Sequence, residues 1–133
     1  ASIFKVRPQL IVFPKDIEDI KKVVAYVNQN KKEVPDLSIT GRSAGTDMTG
    51  GPLNTSIILD FTKYINHIES VKPFEAITEP GVFYHDFEKE TLKQGLLMPS
   101  YPASKSIAAI GGMVSNNAEA SSVLAASANC SLQ

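Results

Sequence analysis

Residues 39–51 read ITGRSAGTDMTGG: four glycines crowded together with hydroxyl side chains, one aspartate and one arginine. Main-chain N–H groups converge on a phosphate only where side chains are small or absent. Gly41, Ser43, Ala44, Gly45, Thr46, Gly50 and Gly51 meet that condition, and Ser43, Thr46 and Thr49 add hydroxyl donors. Arg42 has two available roles, contact with a phosphate or bracing of the loop. Asp47 suits an anion less well, so it must point away, cap a turn, or accept from a ribose or ring N–H. A plain Gly-rich surface turn has the same composition. No Lys follows the last glycine, so the stretch is not a Walker A loop.

A second stretch, YPASKSIAAIGGMVSNNA, places Gly111 and Gly112 inside an apolar, small-residue segment. Each glycine costs about 1 kcal/mol against Ala if the segment is helical. Close packing or the close approach of a ligand would account for it. Asn116 and Asn117 follow and offer both donors and acceptors; a tight contact between elements with a capping Asn pair is the plainer alternative. Pro80-Gly81 reads, by itself, as a simple turn.

These stretches need elements to hold them. PQLIVFP, residues 8–14, is a short extended or strand segment between prolines. KDIEDIKKVVAYVNQNKK follows as an amphipathic helix, with Asp16 as its cap and Glu18 and Asp19 near the positive end of the dipole. Ile17, Ile20, Val23, Val24 and Val27 recur at helical spacing and form the stripe expected to face a core. Lys31-Lys32 reads as a solvated helix end, and Pro35 stops the helix. LSIT (37–40) is a strand before the glycine loop. SIILDFT (56–62) is a continuous apolar run suited to a strand buried on both faces. NHIESVKP and FEAITEPG are two short strands that run up to Pro80-Gly81. YHDFEKETLKQG is a second helix with Phe83, Phe87 and Leu92 expected inward and Gly95 as its C-terminal cap. LLMPSYPAS is extended and broken by prolines. The order is an α+β or α/β alternation with mostly buried short strands, and no G-x-G-x-x-G opens a helix as in a dinucleotide-binding βαβ unit.

Bulk properties exclude several classes. The chain has 133 residues, a formal net charge of -1 and 43% hydrophobic residues. This is one domain or part of one, with no general pull toward nucleic acid or an acidic membrane surface. The single Cys130 rules out an internal disulfide framework and fits a reducing, cytoplasmic compartment. His67 and His85 have no ligand partners at metal spacing, so no metal site is expected. No run approaches a membrane span. The chain starts at Ala1 and closes on EASSVLAASANCSLQ, and it reads as a piece of something longer.

Taken in order, LIVFPKDIEDIKKVVAYVNQN, ITGRSAGTDMTGG, IILDFTKYINHI, ITEPGVFYHDFEKETLKQGLLMPSYPAS and AAIGGMVSNNA resemble one known family. It is the N-terminal part of the FAD-binding domain (PCMH-type) of the vanillyl-alcohol oxidase / p-cresol methylhydroxylase superfamily. Within it the chain looks most like the D-lactate dehydrogenase and glycolate oxidase FAD-subunit group. The likeness covers residues 8–118. It implies an α+β fold: a first subdomain with a small, mostly parallel sheet flanked by helices, plus the start of the second.

The resemblance also implies FAD as cofactor. Arg42, Ser43, Ala44, Gly45, Thr46 and Asp47, with Thr49, Gly50 and Gly51, would wrap its pyrophosphate. Pro80 and Gly81 would sit near the adenosine. Pro102, Ala103 and Ser104, with Gly111 and Gly112, would line the channel for pyrophosphate, ribityl chain and ring, and Ser115 and Asn116 would continue that wall. Thr46 stands where some relatives carry a His that anchors flavin covalently, so non-covalent FAD is expected. The implied whole protein oxidises a 2-hydroxy acid such as lactate or glycolate by hydride transfer to FAD, with an unnamed electron acceptor and peripheral membrane association open to it. Its catalytic residues would lie further along the chain, and this piece alone would be inactive. His67, His85 and Tyr101 are expected to be structural or solvated. Two rivals are a non-catalytic nucleotide-binding module and an FAD-dependent transferase similar to alkyl-glycerone-phosphate synthase. Residues 119–133 depart from the family pattern and are set apart as a tail of unclear origin.

Overall fold

The computed structural model describes residues 4–118. Cys130 and the tail 119–133 lie outside the described residues. Three short strands form a parallel sheet: β1 (Leu10–Val12), β2 (Ile39–Arg42) and β3 (Ile57–Asp60), in the order β1-β3-β2. Ile57 pairs with both Leu10 and Ile39, which puts β3 in the centre. Its Ile57, Ile58 and Leu59 are buried in succession. A strand with neighbours along both edges and cover on both faces needs apolar side chains on both, hence the unbroken run.

Helix α1 (Ile17–Asn30) links β1 to β2. The Asp16 carboxylate accepts from the Asp19 N–H at 2.9 Å, satisfying one of the first-turn donors. The expected apolar stripe is only partly covered. Val27 is buried, but Ile17 and Val24 stay 60% and 42% exposed. A 14-residue helix is about 21 Å long, whereas strands of three and four residues span roughly 10–13 Å. The sheet is too small to cover the whole stripe.

Strands β4 (Ile68–Lys72) and β5 (Glu75–Thr78) pair antiparallel as a separate hairpin, with a register shift between Ile68 and Ser70. Helix α2 (Tyr84–Lys93) follows and buries Tyr84, Phe87 and Thr91. Leu92, expected inward, is 55% exposed. The inward positions recur at i, i+3 and i+7 from Tyr84, so Thr91 takes the buried place and the next residue turns away from it. Gly95 (φ 69) closes α2 as expected: its N–H donates to the Leu92 carbonyl and the Leu96 N–H to Thr91. Helix α3 (Ile110–Ser115) contains both Gly111 and Gly112. Its start runs antiparallel to residues 80–84, through Tyr84 N–H to Ala108 O, Ile110 N–H to Val82 O and Gly111 N–H to Pro80 O, each 2.9 Å. Tyr84, Ala108 and Met113 form a core cluster there, with Met98, Tyr101 and Ile110 packed on it. The described architecture is α+β, with a small parallel sheet flanked by helices.

Candidate functional site

The glycine loop is the connection from β2 to β3, residues 43–56, and it holds no helix. Its shape is set by side chains bonding to backbone. Asp47 caps the turn at the tip: Oδ1 accepts from the Thr49 N–H (2.9 Å) and Oδ2 from the Gly51 N–H (3.0 Å). The Thr49 hydroxyl donates to the same carboxylate at 2.8 Å. The Thr49 N–H, then its hydroxyl, then the Gly51 N–H hold the carboxyl below the usual Asp range. Of the roles open to Asp47, turn capping is the one observed.

Arg42 braces the loop. A Cβ added at Gly45 would lie 2.6–2.7 Å from the Arg42 guanidinium, and Gly45 has φ 69. The positive φ favours glycine there, and any side chain would also have to displace the guanidinium. The Ser43 hydroxyl donates to the Pro80 carbonyl at 3.0 Å. Two of the three hydroxyls expected to face a ligand, Ser43 and Thr49, are therefore donors inside the protein. Thr46 lines the open side of the loop.

Helix α3 completes the site. The Pro80 carbonyl receives both Ser43 and Gly111, so one backbone oxygen joins the loop to the helix. A Cβ at Gly111 would lie 2.6 Å from Ser43 Oγ and 2.9 Å from Pro80 O, so this glycine is required by close packing. Gly112 differs: a Cβ there would meet no atom within 4 Å. The Ser115 hydroxyl donates to the Gly111 carbonyl (2.8 Å), and Asn116 and Asn117 (φ 46) close the helix.

Loop and helix enclose a cleft of about 220 Å³. Eleven residues singled out in the sequence line it: Arg42, Ser43, Ala44, Gly45, Thr46, Asp47, Gly51, Gly111, Gly112, Ser115 and Asn116. Thr49, Gly50, Pro80, Gly81, Pro102, Ala103 and Ser104 do not. Thr49 and Gly50 shape the tip, and Pro80 acts as the joint. Gly81 packs against the Phe61 and Ile65 carbonyls. Residues 102–104 form a turn before α3, with Pro102 and Ser104 carbonyls accepting from Lys105 and Ile107. Gly41, Pro52 and Ala109 also line the cleft. Gly41 was legible as part of the loop. Pro52 and Ala109 carry no chemical signal that a sequence would reveal.

The two histidines lie elsewhere. His67 Nδ1 is 2.9 Å from Glu79 Oε2, and His85 Nε2 is 3.2 Å from Asp86 Oδ2, both on the surface. Tyr101 packs on Tyr84, with its ring centroid 5.5 Å away and Lys105 Nζ 4.6 Å from its own. A larger cavity, about 570 Å³, lies between β4 and α2 and includes His67, Glu69, Asp86 and Glu90. Among the described residues no three His, Cys, Asp or Glu side chains cluster to hold a metal ion. Among these residues, too, no helix is long and apolar enough to cross a membrane.

The family model described as FAD binding domain matches residues 8–131. D-2-hydroxyglutarate dehydrogenase of Haemophilus influenzae is 28% identical over 119 residues, covering 88% of this chain and 11% of that protein. D-lactate dehydrogenase of Anaerostipes hadrus is 31% identical, covering 86% and 23%. Glycolate oxidase subunit GlcD of Escherichia coli is 29% identical, covering 88% and 23%. The chain therefore spans between a tenth and a quarter of the length of these relatives. In structure it is similar to an alkyldihydroxyacetonephosphate synthase (TM-score 0.66, 19% identity, covering 83% of this chain and 21% of that one). It is also similar to cholesterol oxidase from Brevibacterium sterolicum (TM-score 0.63, 21% identity, 83% and 21%). At those identities the likeness shows the fold alone. The chain belongs to the FAD binding domain family, and its cofactor is FAD.

Proposed function

We propose that the cleft between the glycine loop and α3 holds the FAD pyrophosphate, non-covalently, in a flavoprotein that oxidises a 2-hydroxy acid of the lactate, glycolate or 2-hydroxyglutarate type. The observation that carries the site is Gly112. A glycine in a helix is disfavoured by about 1 kcal/mol, and nothing within 4 Å forbids a side chain there. The open space belongs to the cleft, and a Cβ would fill it. The cleft is smaller than the ~300–1,000 Å³ usual for a whole ligand, which suits one segment of an extended dinucleotide.

Bound FAD supplies the two-electron acceptor that the oxidation of a hydroxy acid needs. The residues of this chain bind and orient. Arg42 offers positive charge at the loop's inner face while it braces Gly45. Thr46, Ser115 and Asn116 offer side-chain hydrogen bonds. Asp47 keeps its carboxylate occupied by Thr49 and Gly51, which lessens repulsion of a phosphate. The choice of a 2-hydroxy acid rests on the named activities of the curated relatives.

The test is a flavin titration of the full-length protein, stripped of cofactor, with FAD, FMN and riboflavin, and ADP as competitor. FAD should saturate, ADP should compete and riboflavin should bind far more weakly. Gly112→Leu, whose Cβ would meet no atom within 4 Å and whose larger side chain takes up cleft space, should abolish tight binding. Equal FAD binding by Gly112→Leu would remove the cleft from the cofactor site. D-Lactate, glycolate and D-2-hydroxyglutarate are then tried as reductants of the bound flavin; reduction by none of them overturns the substrate class.

A further inference from the structure

The return limb of the glycine loop, residues 50–56, is covered by the chain's N-terminal arm. At one end the Gln9 N–H donates to the Thr55 and Ser56 carbonyls (2.9 and 3.0 Å), and the Leu10 N–H also reaches Ser56 (3.1 Å). At the other end Phe4 lies over the tip. A Cβ added at Gly50 would be 3.5 Å from the Phe4 ring and 3.6 Å from the Leu53 side chain. Gly50 has φ 96, a conformation a glycine leaves easily because so many others are open to it. The Leu53 N–H to Gly50 carbonyl bond (3.0 Å) closes the turn on itself. Asp47 holds Gly51 from the cleft side. The tip is thus gripped from two directions, by a carboxylate within the loop and by an aromatic ring from outside it.

We infer that Phe4 is a positioning residue for the glycine loop: the N-terminal arm is a strap that fixes the tip before ligand arrives. The consequence for FAD rests on the proposed cofactor site; the consequence for the loop does not. A tip ordered in advance loses less freedom when a phosphate binds.

The test uses Phe4→Ala and Phe4→Leu in the full-length protein. Phe4 is 55% exposed, so truncation spares the buried core, and circular dichroism checks that the fold is kept. Hydrogen exchange of residues 47–53 is followed without cofactor. FAD affinity is measured separately. Phe4→Ala should speed exchange of these amides at least about threefold and weaken FAD about tenfold, mostly through slower association with a loop that must first order. Phe4→Leu should restore most of both. Unchanged exchange in Phe4→Ala overturns the strap, whatever FAD does. Faster exchange with unchanged affinity overturns the positioning role. A failed cofactor site is recognised independently, because Gly112→Leu then binds FAD as wild type does.

Discussion

Gly111 and Gly112 are adjacent, both helical and both beside the cleft, yet alanine should act on them with opposite sign. At Gly112 the new methyl meets no atom within 4 Å. The helix gains what Ala has over Gly, up to about 1 kcal/mol. For a domain of this size that is about 4 °C in Tm. At Gly111 the methyl would sit 2.6 Å from Ser43 Oγ, 2.7 Å from Pro80 Cβ and 2.9 Å from Pro80 O. Ser43 can rotate away, but only by giving up its bond to Pro80. The Pro80 carbonyl cannot move, because it also receives the Gly111 N–H. Overpacking of this kind costs about 1–3 kcal/mol. Set against the same helix gain, Gly111→Ala comes out neutral to about 2 kcal/mol destabilising.

Affinity should follow a different order. Gly112→Ala places its methyl where the phosphates are proposed to lie, and FAD should weaken by about tenfold or more, which is 1.4 kcal/mol or more. The assay is a pair of thermal melts without flavin and a pair of FAD titrations. The expected signature of Gly112→Ala is a higher melting temperature with poorer FAD binding. A lower melting temperature would refute the open geometry at Gly112. A higher one with unchanged FAD affinity would falsify the assignment of the cleft, since the glycine would then serve neither packing nor ligand.

Two further perturbations test the surrounding framework. Asp47 has a folded pKa below its ordinary 3.8; its contribution to loop order is therefore complete above that value and is lost as pH falls through the lower folded pKa. Exchange of the Thr49 and Gly51 amides, corrected at each pH for intrinsic rates, should rise as acid is added below about pH 4, and Asp47→Asn should flatten that dependence. Tyr84 is buried and the single proton of its hydroxyl is shared between the Met98 carbonyl at 3.0 Å and Glu88 Oε1 at 3.3 Å. Burial, then the Glu88 charge, raises the phenol well above its ordinary 10.0. The unfolded chain then releases this proton first, so stability should fall as pH rises past about 10; Tyr84→Phe should remove that slope and cost about 1 kcal/mol in urea unfolding at neutral pH.

Much of this arrangement was legible in residue types. The unbroken SIILDFT run marked a strand buried on both faces, and β3 is the centre of its sheet. Asp16 and Gly95 marked helix ends because caps depend on one residue's local chemistry. The glycines marked both walls of the cleft. Other features were not legible, for physical reasons. The stripe on α1 predicts which face turns inward but not how large a sheet awaits it, so Ile17 and Val24 were expected to be covered and are not. Leu92 was expected inward because it is apolar; the helical phase set by Tyr84 and Phe87 gives the place to Thr91. Pro80 acts through its carbonyl oxygen, an atom every residue has. Its role as the joint between loop and helix therefore leaves no mark in the type of side chain, and Pro80-Gly81 reads as an ordinary turn until its partners are known.

The missing helix between β2 and β3 ties these observations together. Parallel neighbours need a crossover of a dozen or more residues, usually a helix. A helix uses nearly all its N–H groups in its own ladder and leaves only the first turn to face a ligand. Residues 43–56 cross without one, so their backbone has to be held by something else. Asp47 holds Thr49 and Gly51. Asn54 accepts from the Ser56 N–H at 2.8 Å and donates to the Thr40 hydroxyl at 3.0 Å. Pro80 and the N-terminal arm hold the outside, and the Arg42 guanidinium lies against Gly45 on the cleft side. Each is a side chain or a neighbouring strand segment gripping a point of the loop, and the points between grips stay available to shape a concave wall. That is why small residues alternate here with strongly bonding ones: Ser43, Asp47 and Asn54 are the grips, and Ala44, Gly45 and Gly51 are the wall. Loss of a grip should loosen the loop with or without ligand, and so should a side chain at Gly45 or Gly51, where a Cβ would meet Arg42 or Asp47, whereas enlarging Ala44 should be felt mainly when ligand is present.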